Sequence, residues 1–240
     1  MGKVKIKRKS TLIDMTAMSD VTVLLLTFFM LTSTFLQKEP VTVLTPSSVS
    51  EQKVPTANLA SILVSPEGKV FISVAGDADA EMKDEWGTEA IRAAILKEAI
   101  KLYDQQHPSN KIGDKITEAD VATFSKINMF GVPFQTLHQF LSLSQTDQDK
   151  FISDMNNKAV GIPINDNKDM ERLNEFQIWM RAIYNSGNEN LQKAIKKGEG
   201  IAVKADKDTP YETVHDVLDN LQTMKMNRFS IMTALKTEQD

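Results

Sequence analysis

Asp20 is the residue whose type and setting ask for chemistry. It stands at the head of "VTVLLLTFFMLTSTFL", the uncharged run from Val21 to Leu36. A carboxylate there has two readings. It caps the start of an apolar helix, as Ser19 and Asp20 before such a run suggest, or it lies inside the helix and carries protons. Carboxyls withdrawn from water bind a proton more readily, which suits a relay. Spacing favours the second reading. A helix needs about 20 residues to cross the hydrocarbon, and Val21 to Leu36 supplies 16. Forward extension meets Gln37, Lys38, Glu39 and Pro40, so the missing turn comes from "IDMTAM", with Asp14 as an equally good cap. At 100° per residue Thr16, Thr27 and Thr34 fall within about 40° of Asp20, giving a candidate pore-facing hydroxyl stripe beside a candidate proton-carrying acid. Threonines also serve helix packing, and Thr22, Thr32 and Ser33 lie off that face. A lone helix cannot shelter its own acid from lipid, so partner helices are implied.

The surrounding segments set an orientation. Residues 1–13 hold Lys3, Lys5, Lys7, Arg8 and Lys9 and no acid. Residues 14–36 add only Asp14 and Asp20, which leaves −7 for residues 37–240 within a total of −4. Basic residues beside a span favour the cytoplasmic side, so the pattern predicts an uncleaved anchor, N-terminus inside, with the remainder exported. A cleavable signal peptide has a shorter apolar core and an A-x-A-like site, and "FLQKEP" offers none. The absence of cysteine decides nothing alone.

Other chemistry is sparse. His107, His138 and His215 lack metal-ligand spacing, and neither P-loop, G-x-S-x-G nor G-x-G-x-x-G occurs. The acidic exported part lacks a nucleic-acid footprint. Asp206 and Asp208 in "ADKD" read as turn and cap residues rather than a metal site. The expectation is therefore no enzyme, no cofactor, no metal and no nucleic-acid partner.

The exported part divides. Residues 37–58 read as a linker, with Val41 to Leu44 as a candidate strand or part of a tether. Ile62 to Val64 and Lys69 to Val74 flank "SPEG" as a hairpin. Ile201 to Lys204 reads as a strand, Pro210 as the first residue of a helix to Met224 with Val214, Val217, Leu218 and Leu221 on its apolar face, and Arg228 to Met232 as the last strand. Between these halves, residues 77–194 read as a mostly helical insertion built from "TEAIRAAILKEAIKLY", "TEADVATFSKI", "VPFQTLHQFLSL" and "NDNKDMERLNEFQIWMRAIY". In the last piece Met170, Leu173, Phe176, Ile178, Met180, Ile183 and Trp179 read as core. The insertion is expected to contact a further exported partner.

The order basic tail, "IDMTAMSDVTVLLLTFFMLTSTF", exported domain, then "IAVKADKDTPYETVHDVLDNLQTMKMNRFSIMTAL" resembles the ExbD/TolR family of biopolymer-transport proteins over residues 1–80 and 195–235. The family segment "I-x-x-T-P-x-x-D" places its proton-carrying aspartate at Asp20, while its proline is Ala17 here. The resemblance implies a transmembrane helix over 14–36 (after a tail over 1–13) and an ExbD-like periplasmic α+β domain over 59–76 and 195–240. It also implies a second copy of the chain, a pentameric ExbB-like membrane partner and a TonB-like periplasm-spanning protein driven by the proton-motive force. The alternatives are a TolR-like role in Tol–Pal envelope maintenance, or a passive membrane-anchored adaptor.

Overall fold

The computed structural model describes residues 15–32, 43–45, 47–48, 55–77, 87–232 and 234–235. The chain forms two compact units, one ending at Lys38 and the other starting at Glu39. The first contributes one described element, α1 (Met15–Thr32).

The second is organised by a five-stranded mixed sheet in the order β4-β3-β2-β5-β6. Strands β2 (Leu59–Val64) and β3 (Val70–Ala75) form the expected hairpin, in register from Leu59 against Ala75 to Val64 against Val70. Its turn closes through the Gly68 N–H on the Ser65 carbonyl at 2.9 Å, and Gly68 takes φ +73°, a conformation that costs glycine little. β5 (Ile201–Ala205) lies parallel to β2, and β6 (Ser230–Met232) parallel to β5. The β5–β6 crossover carries α8 (Tyr211–Thr223), whose Val217 and Leu221 are buried while Val214 and Leu218 are half-buried. Pro210 stands one position before the expected place, at the N-cap. β2 is buried along nearly its whole length, so both faces of the sheet are covered at this central strand and alternation is lost there.

Six helices fill residues 88–197: α2 (Thr88–Gln106), α3 (Glu118–Lys126), α4 (Phe134–Leu141), α5 (Gln145–Ser153), α6 (Glu175–Asn185) and α7 (Glu189–Lys197). This stretch does not stand apart from the sheet. It supplies β4 (Met129–Phe130), paired through Phe130 with Ile72 of β3, and one apolar core runs through the strands and these helices. Trp179 of α6 is fully buried, its ring 4.6 Å from Phe130, 4.7 Å from Phe134 and 5.7 Å from Phe124. Of the apolar set expected around it, Met170 is the exception, being 38% exposed. Arg92 of α2 is buried beside this core, donating from Nε to the Val74 carbonyl at 2.9 Å and from Nη2 to the Asn128 carbonyl at 3.4 Å. Burial lowers its guanidinium to about 10, with Glu89 opposing.

Three expectations are corrected. The stretch 165–174, read as helix, is a loop because its side chains bind their own backbone: Asn167 Oδ1 accepts from the Asp169 N–H at 3.0 Å and Asp169 Oδ1 from the Glu171 N–H at 2.8 Å. The boundary at residue 194 falls inside α7, which runs on to Lys197 and ends where Gly198 adopts φ +94°. The segment read as linker also carries ordered structure. Val43 is buried, the Leu44 N–H donates to Asp206 Oδ2 at 2.6 Å, and β1 (Ser47–Ser48) pairs in parallel with β7 (Ala234–Leu235). Val41 and Thr42, the first half of the candidate strand, lie outside the described residues.

Candidate functional site

Asp20 sits in the second turn of α1, five residues beyond the first helical residue, and its side chain is exposed. The helix therefore begins well before it, and the N-cap position is not where Asp20 lies. Thr27 follows nearly two turns later, about 20° around the helix from Asp20 at 100° per residue. Its hydroxyl donates to the Leu24 carbonyl at 2.9 Å. The off-face Thr22 and Thr32 do the same to Met18 and Phe28, at 2.7 and 2.8 Å. Geometry thus gives Thr27 no hydrogen bond that distinguishes it from threonines on other faces, although its oxygen keeps acceptor capacity. Thr16 lies in the described helix but its side chain does not belong to the described part, and Thr34 lies outside the described residues, as do Lys3, Lys5, Lys7, Arg8 and Lys9.

The apolar side chains around Asp20 are all turned outward. From Met18 to Leu31 every large hydrophobic of α1 is 53% to 87% exposed. Such a surface needs a neighbour other than water. At 1.5 Å per residue the helix is about 27 Å long, against roughly 30 Å of hydrocarbon. Among the described residues no helix is both long and apolar enough to cross a membrane. The expected span of 14–36 includes residues at both ends that are not described.

In the second unit the ionisable residues are dispersed. Asp206 is 7% exposed and occupied by backbone: Oδ1 accepts from the Asp208 N–H at 2.9 Å, and Oδ2 from Leu44. It makes the turn that the sequence suggests and also ties down the segment near Leu44. His215 pairs with Asp219 at 3.4 Å, whereas His138 Nδ1 lies 3.1 Å from Asp120 Oδ2. Among the described residues no group of three or more His, Asp or Glu is placed to hold a metal.

Asp120 and Glu175 form an instructive pair. Asp120 closes a capping box on α3, accepting from the Thr117 N–H at 2.8 Å and hydroxyl at 2.9 Å. Burial alone would raise its carboxyl, yet the Thr117 bonds and His138 outweigh burial and hold it below the usual range. Glu175 begins α6 and accepts the Phe134 N–H at 2.9 Å, thereby capping α4 from 41 residues away. Burial pushes its carboxyl up, and the Phe134 bond and His107 only partly offset that. Glu175 lines a cleft of about 420 Å³ together with Tyr103, His107, Asn110, Gln135 and Asn165. The sequence gives no sign of this cleft. Glu175 reads there as an ordinary acid in a first helical turn, and only the fold brings α2, α4 and α6 around it.

Compared with known proteins, the chain matches the family described as biopolymer transport protein ExbD/TolR over residues 7–236. The match runs through the helical stretch between the two motifs as well as through the motifs themselves. No curated protein and no solved structure matches.

Proposed function

Because the chain belongs to the ExbD/TolR family of biopolymer transport proteins, we propose that α1 is the core of a membrane-spanning helix over 14–36 and that Asp20 is its proton-carrying residue. The family consists of transport accessory subunits rather than enzymes and works generally with ExbB/TolQ-type partners. In this reading the basic tail stays in the cytoplasm and the sheet domain lies in the periplasm. Two copies of the helix sit within a pentamer of an ExbB-like protein, and the assembly drives a TonB-like protein that energises outer-membrane transport.

One observation carries the reading: an acid occurs inside a helix whose every described large apolar side chain is exposed. In water the apolar surface is costly, and in lipid the charged acid is costly, by about 2.5 to 3.5 kcal/mol at mid-membrane on insertion scales. Partner helices relieve both by covering the apolar face and giving the acid a polar path. One charge moved through 100 mV yields about 2.3 kcal/mol, so several protons per cycle supply mechanical work. Thr27, with Thr16 and Thr34, lines the polar side of that path.

The test is Asp20→Asn in the chain co-expressed with its ExbB-like partner. Proton flux and energised uptake are expected to vanish, while co-purification of the two subunits is retained. Full uptake by the variant sinks the proposal. Co-purification with a Tol-like protein instead of a TonB-like one moves the same machinery to envelope maintenance and leaves the role of Asp20 intact.

A further inference from the structure

Transport by α1 makes no use of the cleft at Glu175, and the way that carboxylate is held calls for an explanation of its own. Capping α4 occupies one oxygen, Oε2, on the Phe134 N–H. A glutamine would cap equally well without placing a charge in a half-buried site. No Lys or Arg among the described residues pairs with Glu175, and no donor among them reaches its other oxygen. A carboxylate half-withdrawn from water at the wall of a cleft, with no donor among the described residues on one oxygen, is placed to take a cation.

The cleft walls indicate what that something is. Asn165 keeps acceptor capacity at Oδ1, which takes one bond from Asn174 at 2.9 Å, while its backbone carbonyl is already filled by Asn174 at 3.0 Å and Asn220 at 2.8 Å. Asn110 adds a further amide, while Leu173 and Ile178 give the cleft an apolar flank. Acceptors above an apolar flank suit a positively charged nitrogen on an alkyl stem. A second anion would be repelled by Glu175 and by the −7 charge of residues 37–240, which instead raises the local concentration of cations.

We propose that the cleft between α2, α4 and α6 is a binding site for an alkyl ammonium or guanidinium group, with Glu175 as its counter-ion. The group belongs either to a basic side chain of a partner protein or to a free amine. The proposal is independent of the proton role of Asp20, because no residue of α1 takes part in it.

The experiment uses the full chain in a non-ionic detergent, with cadaverine, the tripeptide Gly-Lys-Gly and its Nε-acetyl-lysine counterpart as probes. Calorimetry reads affinity, and carbon-detected NMR follows the Glu175 side-chain carboxyl in the wild type. At least one cationic probe is expected to bind and shift that resonance, with the acetylated peptide weaker by roughly tenfold or more, the equivalent of about 1.4 kcal/mol. Glu175→Gln is expected to lose a similar factor while keeping its unfolding midpoint, since its amide oxygen still accepts from Phe134. Binding of the peptide but not cadaverine points to a protein side chain, and the reverse to a free amine. Failure of both cationic probes at millimolar concentration overturns the proposal. So does equal binding of the acetylated peptide, or a Glu175 resonance that stays fixed as the cationic probe saturates.

Discussion

The two units of this chain treat the same side chains in opposite ways. In α1, Leu24, Leu26, Phe28 and Phe29 are each about 60% exposed, whereas in the second unit Phe71, Phe124, Phe130, Phe134 and Phe176 are at most 1% exposed. One unit has satisfied its hydrophobic surface internally, and the described helix of the other has not. Their acids differ accordingly. Asp120 and Glu175 are each bonded to a helix N-terminus, while Asp20 is exposed on α1. On the proposed reading, removing the acid from α1 should cost activity without unfolding anything, and removing a core group from the second unit should do the reverse.

Asp20→Asn is the sharpest way to break that division, and its expected effect is the largest. Uptake should fall to the level of cells lacking the chain, with urea unfolding of the second unit unmoved. A shifted unfolding midpoint would mean that α1 contributes to the stability of the domain, and the division would fail.

Trp179→Ala probes the other side. Truncating a fully buried tryptophan among Phe124, Phe130 and Phe134 should cost about 3 to 5 kcal/mol, read as a lowered urea midpoint. Trp179→Phe should cost much less. Phenylalanine fills most of the space, and it removes an indole Nε1 that is buried without a hydrogen-bond partner. A tryptophan that cannot be replaced this way has a role beyond packing.

Arg92→Met ranks next, at about 2 to 3 kcal/mol. It strips donors from the carbonyls of Val74, Ser125 and Asn128, of which Asn128 still accepts from the Ser73 hydroxyl at 2.6 Å. Arg92→Lys should recover little, because one ammonium cannot reproduce the spread of the guanidinium bonds across two separate chain segments.

What the sequence reveals follows from the range of the interactions involved. The hairpin at 59–75 and the helix at 211–223 are written in neighbouring residues: "SPEG" between β-branched runs, and Pro210 before an i, i+3, i+4, i+7 apolar pattern. The two-residue strand β4 is too short to leave a period, and it exists because Phe130 and Met129 meet β3 across more than fifty residues of sequence. α5, "QTDQDKFIS", is too polar to show a clear apolar face, with only Gln148 and Ile152 buried. The stretch 165–174 is half Asn and Asp, and those side chains bond locally to the backbone instead of continuing a helix. Asp20 draws attention in the sequence because its anomaly is local, an acid beside an apolar run. Glu175 does not, since an acid at a helix start is ordinary until α4 is brought against it.

The smallest predicted effects concern those two capped helices, and they have opposite signs. Asp120 has a depressed carboxyl in the fold, so its contribution is complete above its unfolded value of about 3.9 and drains as pH falls through the folded one. Asp120→Ala should therefore cost about 1 kcal/mol near neutral pH, the usual worth of a cap, and flatten the loss of stability on the acid side. Glu175 has a raised carboxyl, so the fold resists its ionisation. Its effect on stability begins near its unfolded value of about 4.3 and turns unfavourable as pH climbs through the folded one. Glu175→Gln should remove that decline and leave the protein as stable as wild type, or slightly more so, at pH 7, as measured by urea unfolding at several pH values. If the glutamine variant were instead less stable at neutral pH, Glu175 would be ionised and well paired in the free protein, and its carboxylate would be a structural ion rather than one awaiting a ligand.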